Sequence, residues 1–383
     1  MPKKLVLSLI TLCFMLVLLE AFAFLTSLVV DQDDFFDHRA GVLARLNAPD
    51  LAAFIEKGGD PVLGWDSRGP AVRTEENCQG SARTYTYNEA GARIYTAFDA
   101  QKAEIVIVGD SYTNGDEVDD DETYPAQLAS ILNVPVANQG VGGYGPTQAF
   151  LNLKKKIGLY PRARVAVLAV MYENLHRMVN AYRPVLYSTS SDYTLKPFMA
   201  GGQIRPHPGE QAFAGIVDFK RYANSAFDTD FWSKPENGFP YTVSLIKALG
   251  SNYFYFRKLQ KAFRKLGVPE YFLTFRSREI RDNLVSLLNS YAEFATQRGV
   301  KPVVIFIPRN RYDTQSAGRF IEANSRSLDD RLLVGDVAGF AGIDWNRFNL
   351  RETEGDNICH PSPYGYRMIA EYIAGFLKDN GAW

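Results

Sequence analysis

Cysteine is scarce in this chain, with three in 383 residues. Cys13 sits inside an apolar run, so Cys78 and Cys359 alone remain elsewhere and leave room for at most one disulfide, in an oxidising compartment. Net charge is nearly absent too, at −1. No basic block is long enough to track a phosphate backbone, which excludes nucleic acid as a partner. No internal repeat and no low-complexity tract is found. Apolar and charged fractions of 46% and 22% are those of a globular protein, not a disordered chain.

Long apolar runs are missing everywhere except at one place. Met1-Pro-Lys-Lys is followed by Leu5 to Val30, interrupted by Glu20. At about 1.5 Å per residue this run can cross a ~30 Å hydrocarbon core. Lys3 and Lys4 precede it and Asp31, Asp33 and Asp34 follow, which predicts the N-terminus inside and the remainder outside. An uncleaved signal anchor over residues 1–30 is the preferred reading. A cleaved signal peptide, with Ala21-Phe22-Ala23 as the small-residue site, is the other. Either one exports the chain, in a bacterium to the periplasmic side of the inner membrane.

Beyond the anchor, residues 31–102 form an extension in which Thr84-Tyr-Thr-Tyr alternates like an edge strand. From residue 103 the pattern is α/β. Ile105-Val-Ile-Val, Val134-Pro-Val-Ala-Asn138, Arg164-Val-Ala-Val-Leu-Ala-Val170 and Lys301-Pro-Val-Val-Ile-Phe-Ile307 read as buried strands, and Leu332–Asp336 as a short fifth. Helices are expected at 124–132, 146–159, 277–298 and 367–377. Residues 185–272 break this rhythm as a large insertion dense in aromatics, which read first as core and second as a wall of a substrate groove.

Chemistry in open parallel sheets sits beyond the carboxyl ends of the strands. Gly109-Asp110-Ser111 ends the first strand, Asn138-Gln-Gly-Val-Gly-Gly143 follows the second, and Tyr172-Glu-Asn174 follows the third. Asp356 and His360-Pro-Ser precede the last helix. Acyl transfer needs a hydroxyl, a base that removes its proton, and amide donors for an oxyanion. The acids Asp116–Glu122 lack the spacing of a calcium loop and read as a solvated loop before a helix. The glycines at 140, 142 and 145 follow the second strand, not the first, which argues against a dinucleotide fingerprint. No metal and no cofactor are expected. His38, His176 and His207 have no matching context and read as structural or surface residues.

With these four blocks in this order, the chain resembles the SGNH (GDSL-like) hydrolase family over about residues 103–380, apart from the insertion. The resemblance implies a flavodoxin-like, three-layer α/β/α sandwich with a mostly parallel sheet. It implies Ser111 as nucleophile and His360 as base. The implied oxyanion hole comprises the Ser111 N–H, the Gly143 N–H and the Asn174 side chain. Gly140 competes with Gly143 as donor. The family's acid lies three residues before the histidine, where Asn357 stands here; Asp356 is the preferred acid, ahead of Asn357 and Asp344. Leu175 stands where the family's third block continues with aspartate. The implied activity is that of an exported serine esterase or O-acyltransferase, acting on O-acyl, above all O-acetyl, groups of a small molecule or cell-surface polysaccharide. Arg183, Arg309 and Arg311 are candidates for meeting an anionic glycan. The alternative is a catalytically silent glycan-binding or scaffolding module of an envelope assembly.

Overall fold

The β-branched runs form the centre of the molecule. In the computed structural model, which describes residues 3–95, 99, 102–188, 190–269, 271–309, 316–351 and 358–383, five strands pair in parallel. They are β1 (Ile105–Gly109), β2 (Val136–Gly140), β3 (Val165–Met171), β4 (Lys301–Ile307) and β5 (Leu333–Asp336). Their spatial order is β5-β4-β3-β1-β2. Read from the other edge this is 2-1-3-4-5, the doubly wound flavodoxin-like order, whose switch point lies between β1 and β3.

Both sheet faces are covered, which is why these strands read as continuous apolar runs and not as alternating ones. Helices α2 (Pro146–Lys156) and α3 (Arg278–Gln297) pack on one face, with Phe150, Leu284 and Leu288 against Val106, Val108, Leu168 and Phe306. Helices α1 (Tyr124–Leu132) and α4 (Pro363–Asp379) cover the other, with Leu128, Ile369 and Ile373 against Ile105, Ile107, Val167 and Ile305. Successive residues of β1 thus serve opposite cores. The fold is an α/β/α sandwich.

Two expected boundaries shift. The second strand runs to Gly140 because Gln139 and Gly140 stay in register with Val108 and Gly109, while Pro135, without an N–H, lies outside it. Helix α4 begins at Pro363, not Arg367: Pro363 has no N–H to leave unpaired, and Ser362 caps the helix by accepting from the Gly365 N–H.

Most of the aromatics of the region between β3 and α3 pack in the core, although Phe239 and Tyr255 are exposed. Phe219, Phe227, Trp232, Phe256 and Tyr271 are buried in the cluster that covers the α2–α3 face. The hairpin Ala71–Glu76/Ala82–Tyr87 reaches the sheet edge through the bridges Tyr87–Arg93 and Arg93–Asn138. Near the N-terminus, the helix Lys3–Val29 is long and apolar enough to cross a membrane, a property that signal sequences share. Its distal half packs on the helix Tyr241–Leu249, burying Ala23 and Ser27 and setting Phe24 4.9 Å from Tyr241. Glu20 accepts from the N–H groups of Tyr241 and Thr242 at that helix's first turn, so the acid that interrupts the apolar run has partners.

Candidate active site

The chain turns sharply where β1 ends. Asp110 caps the one-turn helix Ser111–Asn114, accepting from the Tyr112 N–H at 3.1 Å. The Ser111 N–H opens this turn, where no intrahelical acceptor exists. A side chain at Gly109 would collide with Thr113, and one at Gly140 with the Asn114 backbone, so the close passage of these segments requires glycine. Ser111 is 8% exposed.

Asn174 follows β3 on the far side of the switch point. Its Nδ2 donates to Asp110 Oδ2 at 2.7 Å, which orients the amide and leaves its second N–H without an acceptor among the described residues. Asp110 is fully buried, and burial raises its pKa against the pull of Arg177, Asn174 and His360. Of the two glycine candidates, the Gly140 N–H is already committed to Asn138 Oδ1 at 3.0 Å. Gly143 lies at φ +81°, and its N–H has no acceptor among the described residues. The Gly142 carbonyl beside it accepts from Trp65 Nε1 at 3.1 Å, which ties the glycine loop to the extension.

His360 lies in β7 (Ile358–Pro361), which pairs antiparallel with β6 (Asn349–Arg351) and packs on the Ser111–Asn114 turn. The His360 ring stands edge-on to Tyr112, with centroids 5.7 Å apart. Its Nδ1 is 2.8 Å from Glu117 Oε1, and its Nε2 is 3.9 Å from Asp116 Oδ2. Burial opposes charge on the imidazole, but the Glu117 hydrogen bond and the charges of Asp116, Glu117 and Asp110 outweigh it and raise the pKa of His360.

Asp356 and Asn357 lie outside the described residues. Asp344 is a helix cap, accepting from the Asn346 N–H at 3.0 Å. Among the described residues, the acid on His360 Nδ1 is Glu117, from the run read in sequence as a solvated loop. That run is held tightly. Asp119 pairs with Arg83 at 2.9 Å, and Asp120 pairs with Arg93 at 2.8 Å. Arg93 is 1% exposed and donates to the carbonyls of Thr84, Asn114, Gly115 and Val118 as well. Glu117 itself has φ +73°, a left-handed conformation that costs energy in a non-glycine residue and clusters at functional sites. Sequence carried one signal for it: an acid six residues beyond the serine, with a glycine at 115 to turn the chain.

Cys78 and Cys359 form a disulfide with Sγ atoms 2.11 Å apart, tying the hairpin to the residue before His360. His176 is buried, with Nε2 2.8 Å from Thr274 Oγ1, and burial holds it down at about 3. His38 and His207 bond the carbonyls of Pro184 and Pro61.

Near the switch point of a parallel α/β sandwich, the described residues thus place the Ser111 turn, an imidazole with an acid on its Nδ1, and the Gly143 and Asn174 N–H groups. No protein-family model matches the chain, and no curated protein matches it. Among solved structures, it is similar to a protein described as lipolytic of the G-D-S-L family from Desulfitobacterium hafniense, at 13% identity and TM-score 0.34, covering 71% of this chain and 98% of that one. It is similar also to an acetyl xylan esterase from the rumen bacterium Butyrivibrio proteoclasticus, at 10% identity and TM-score 0.31, covering 79% and 68%. At these scores neither likeness bears on the chemistry.

Proposed function

We propose that the chain is a serine hydrolase or acyltransferase of the SGNH type that acts on O-acyl esters. It is held by its N-terminal helix at the inner membrane, with the catalytic domain on the outer, oxidising side. The observation that carries this reading is the contact between His360 Nδ1 and Glu117 at 2.8 Å, beside the Ser111 turn. An imidazole with an acid on Nδ1 presents Nε2 as a base. The compartment is supported by the Cys78–Cys359 disulfide and the apolar helix.

In this mechanism His360 Nε2 takes the proton from Ser111 Oγ as the oxygen attacks the acyl carbon. The Ser111 N–H, the Gly143 N–H and the free N–H of Asn174 stabilise the oxyanion. The ester C–O bond then breaks, and the departing alkoxide takes the proton from His360. Water, or a sugar hydroxyl, then attacks the acyl-serine as its proton passes to the same nitrogen; the acyl–Oγ bond breaks, and Ser111 Oγ takes that proton back from His360. Glu117 orients the ring, since Nδ1–H makes one hydrogen bond and Glu117 receives it.

The test is labelling of the full chain by a fluorophosphonate probe, together with ester hydrolysis. Both are expected in the wild type and lost in Ser111→Ala and His360→Ala. A folded wild type that neither labels nor hydrolyses would overturn the reading and favour a silent glycan-binding module.

A further inference from the structure

Of the three arginines singled out in the sequence, the structure describes two, and they differ. Arg309 is neutralised by Glu173 at 3.0 Å. Arg183 has no such acid. Among the described residues no carboxylate lies within ion-pair distance of it, and its Nε is buried without a hydrogen-bond partner. Its guanidinium sits between two rings, 5.8 Å from the centroid of Trp65 and 5.6 Å from that of Tyr187. Burial and the neighbouring Arg177 lower its pKa to about 10. A partly buried cation that feels the charge of Glu173 but has no carboxylate within ion-pair distance among the described residues gains from an anion supplied from outside.

Location says which anion would reach it. A side chain placed on Gly143 would collide with Arg183 Nη1, so the guanidinium lies against the loop that offers the Gly143 N–H. Arg183 lines a cavity of about 340 Å³ together with Trp65, Tyr85, Tyr87, Asp116 and Gly142. Asp116, which also lines the cavity, has its carboxylate 3.9 Å from His360 Nε2. Aromatic walls suit the apolar faces of a sugar ring. Lys57 and Arg73 open onto the same space. Of the acids lining it, Asp66 is neutralised by Lys156 at 2.8 Å and Asp116 accepts from Asn114 Nδ2 at 2.5 Å, while Glu75 stands at the hairpin.

We infer that this cavity is a subsite for an acylated sugar bearing a carboxylate, of the uronic-acid class, with the carboxylate on Arg183 and the ring against Trp65, since Tyr85 and Tyr87 are buried beneath Arg93 and Arg73. The inference rests on the proposed hydrolase reading for its orientation toward Ser111. It makes Arg183 a specificity-determining residue, and it places the substrate groove chiefly against the N-terminal extension, with Thr194 of the insertion at its border.

The test compares an O-acetylated methyl glucoside with the matching glucuronide, using the full chain in detergent. Wild type is expected to favour the glucuronide in kcat/KM by roughly 10- to 100-fold, the size of one charge-assisted hydrogen bond. Arg183→Gln should bring that ratio close to one, Arg183→Lys should keep part of it, and added salt should shrink it. No preference in wild type, or a ratio that Arg183→Gln leaves intact, overturns the inference. If neither ester is turned over, calorimetry of Ser111→Ala with unacylated methyl glucuronide decides separately. Binding that Ser111→Ala/Arg183→Gln loses upholds the subsite while the hydrolase reading falls; no binding overturns the subsite as well.

Discussion

Glu117 Oε1 meets His360 Nδ1 at 2.8 Å across 243 positions of the chain. The pair does two things at once: it fixes which imidazole nitrogen is free, and it holds the ring's pKa above its ordinary value against burial. Glu117→Gln keeps the shape and removes the charge. It should lower kcat about 10²- to 10⁴-fold, the range seen when a triad's acid is neutralised. The acid limb of the pH–rate profile should move to lower pH, because imidazolium loses its stabilising partner. An acid limb that stays in place would show that Glu117 does not tune the base.

The same pair has a signature in stability. A histidine whose pKa rises on folding adds stability that is complete below its unfolded value of about 6.5 and fades as pH climbs through the folded value. The wild-type melting temperature should therefore fall across that window more steeply than that of Glu117→Gln. Thermal melts across a pH series check this.

Asn174 lies across the switch point from Ser111, with its amide oriented by Asp110. Asn174→Ala should reduce kcat about 10²- to 10³-fold with little change in KM, as for loss of one oxyanion donor. It should also cost about 1–3 kcal/mol in stability, since Asp110, fully buried, loses a hydrogen bond. Kinetics and denaturant titration of the same sample separate the two effects.

Arg93 links the hairpin to the loop bearing Asp116 and Glu117, through Asp120 and four carbonyls. Arg93→Ala strands Asp120 and those carbonyls, at a cost of about 3–5 kcal/mol by analogy with breaking a buried ion pair. Arg93→Lys cannot reproduce the planar fork and should fall between. Denaturant midpoints rank the three proteins, and turnover should follow the same order because the loop carries the acid of His360.

Disulfide Cys78–Cys359 joins the hairpin to the residue before His360, at a separation of 281 positions. Cys78→Ser/Cys359→Ser should lose about 2–4 kcal/mol. Reductant should lower the melting temperature of wild type and leave the double variant unmoved. Equal melting temperatures would mean that the bridge contributes no stability.

Much of the sandwich was legible from local pattern. A strand covered on both faces must be apolar at every position, so Ile105-Val-Ile-Val and Val165–Val170 announce themselves without any partner being known. Glycine and an acid beside Ser111 likewise mark a tight turn, because backbone conformation is a local property. Pairing across the chain is not. Asp116 and Glu117 look in sequence like solvated acids; what gives them a role is a buried Arg93, a left-handed φ at Glu117 and a β7 strand that arrives 243 positions later. Arg183 and Arg309 read alike in sequence for the same reason, and only packing decides which one finds a carboxylate and which one faces a cavity. Residue type and spacing determined the sheet and the turn at Ser111. Tertiary structure decided which charges are paired, since electrostatic partnership depends on distance in space and on burial, neither of which a linear order contains.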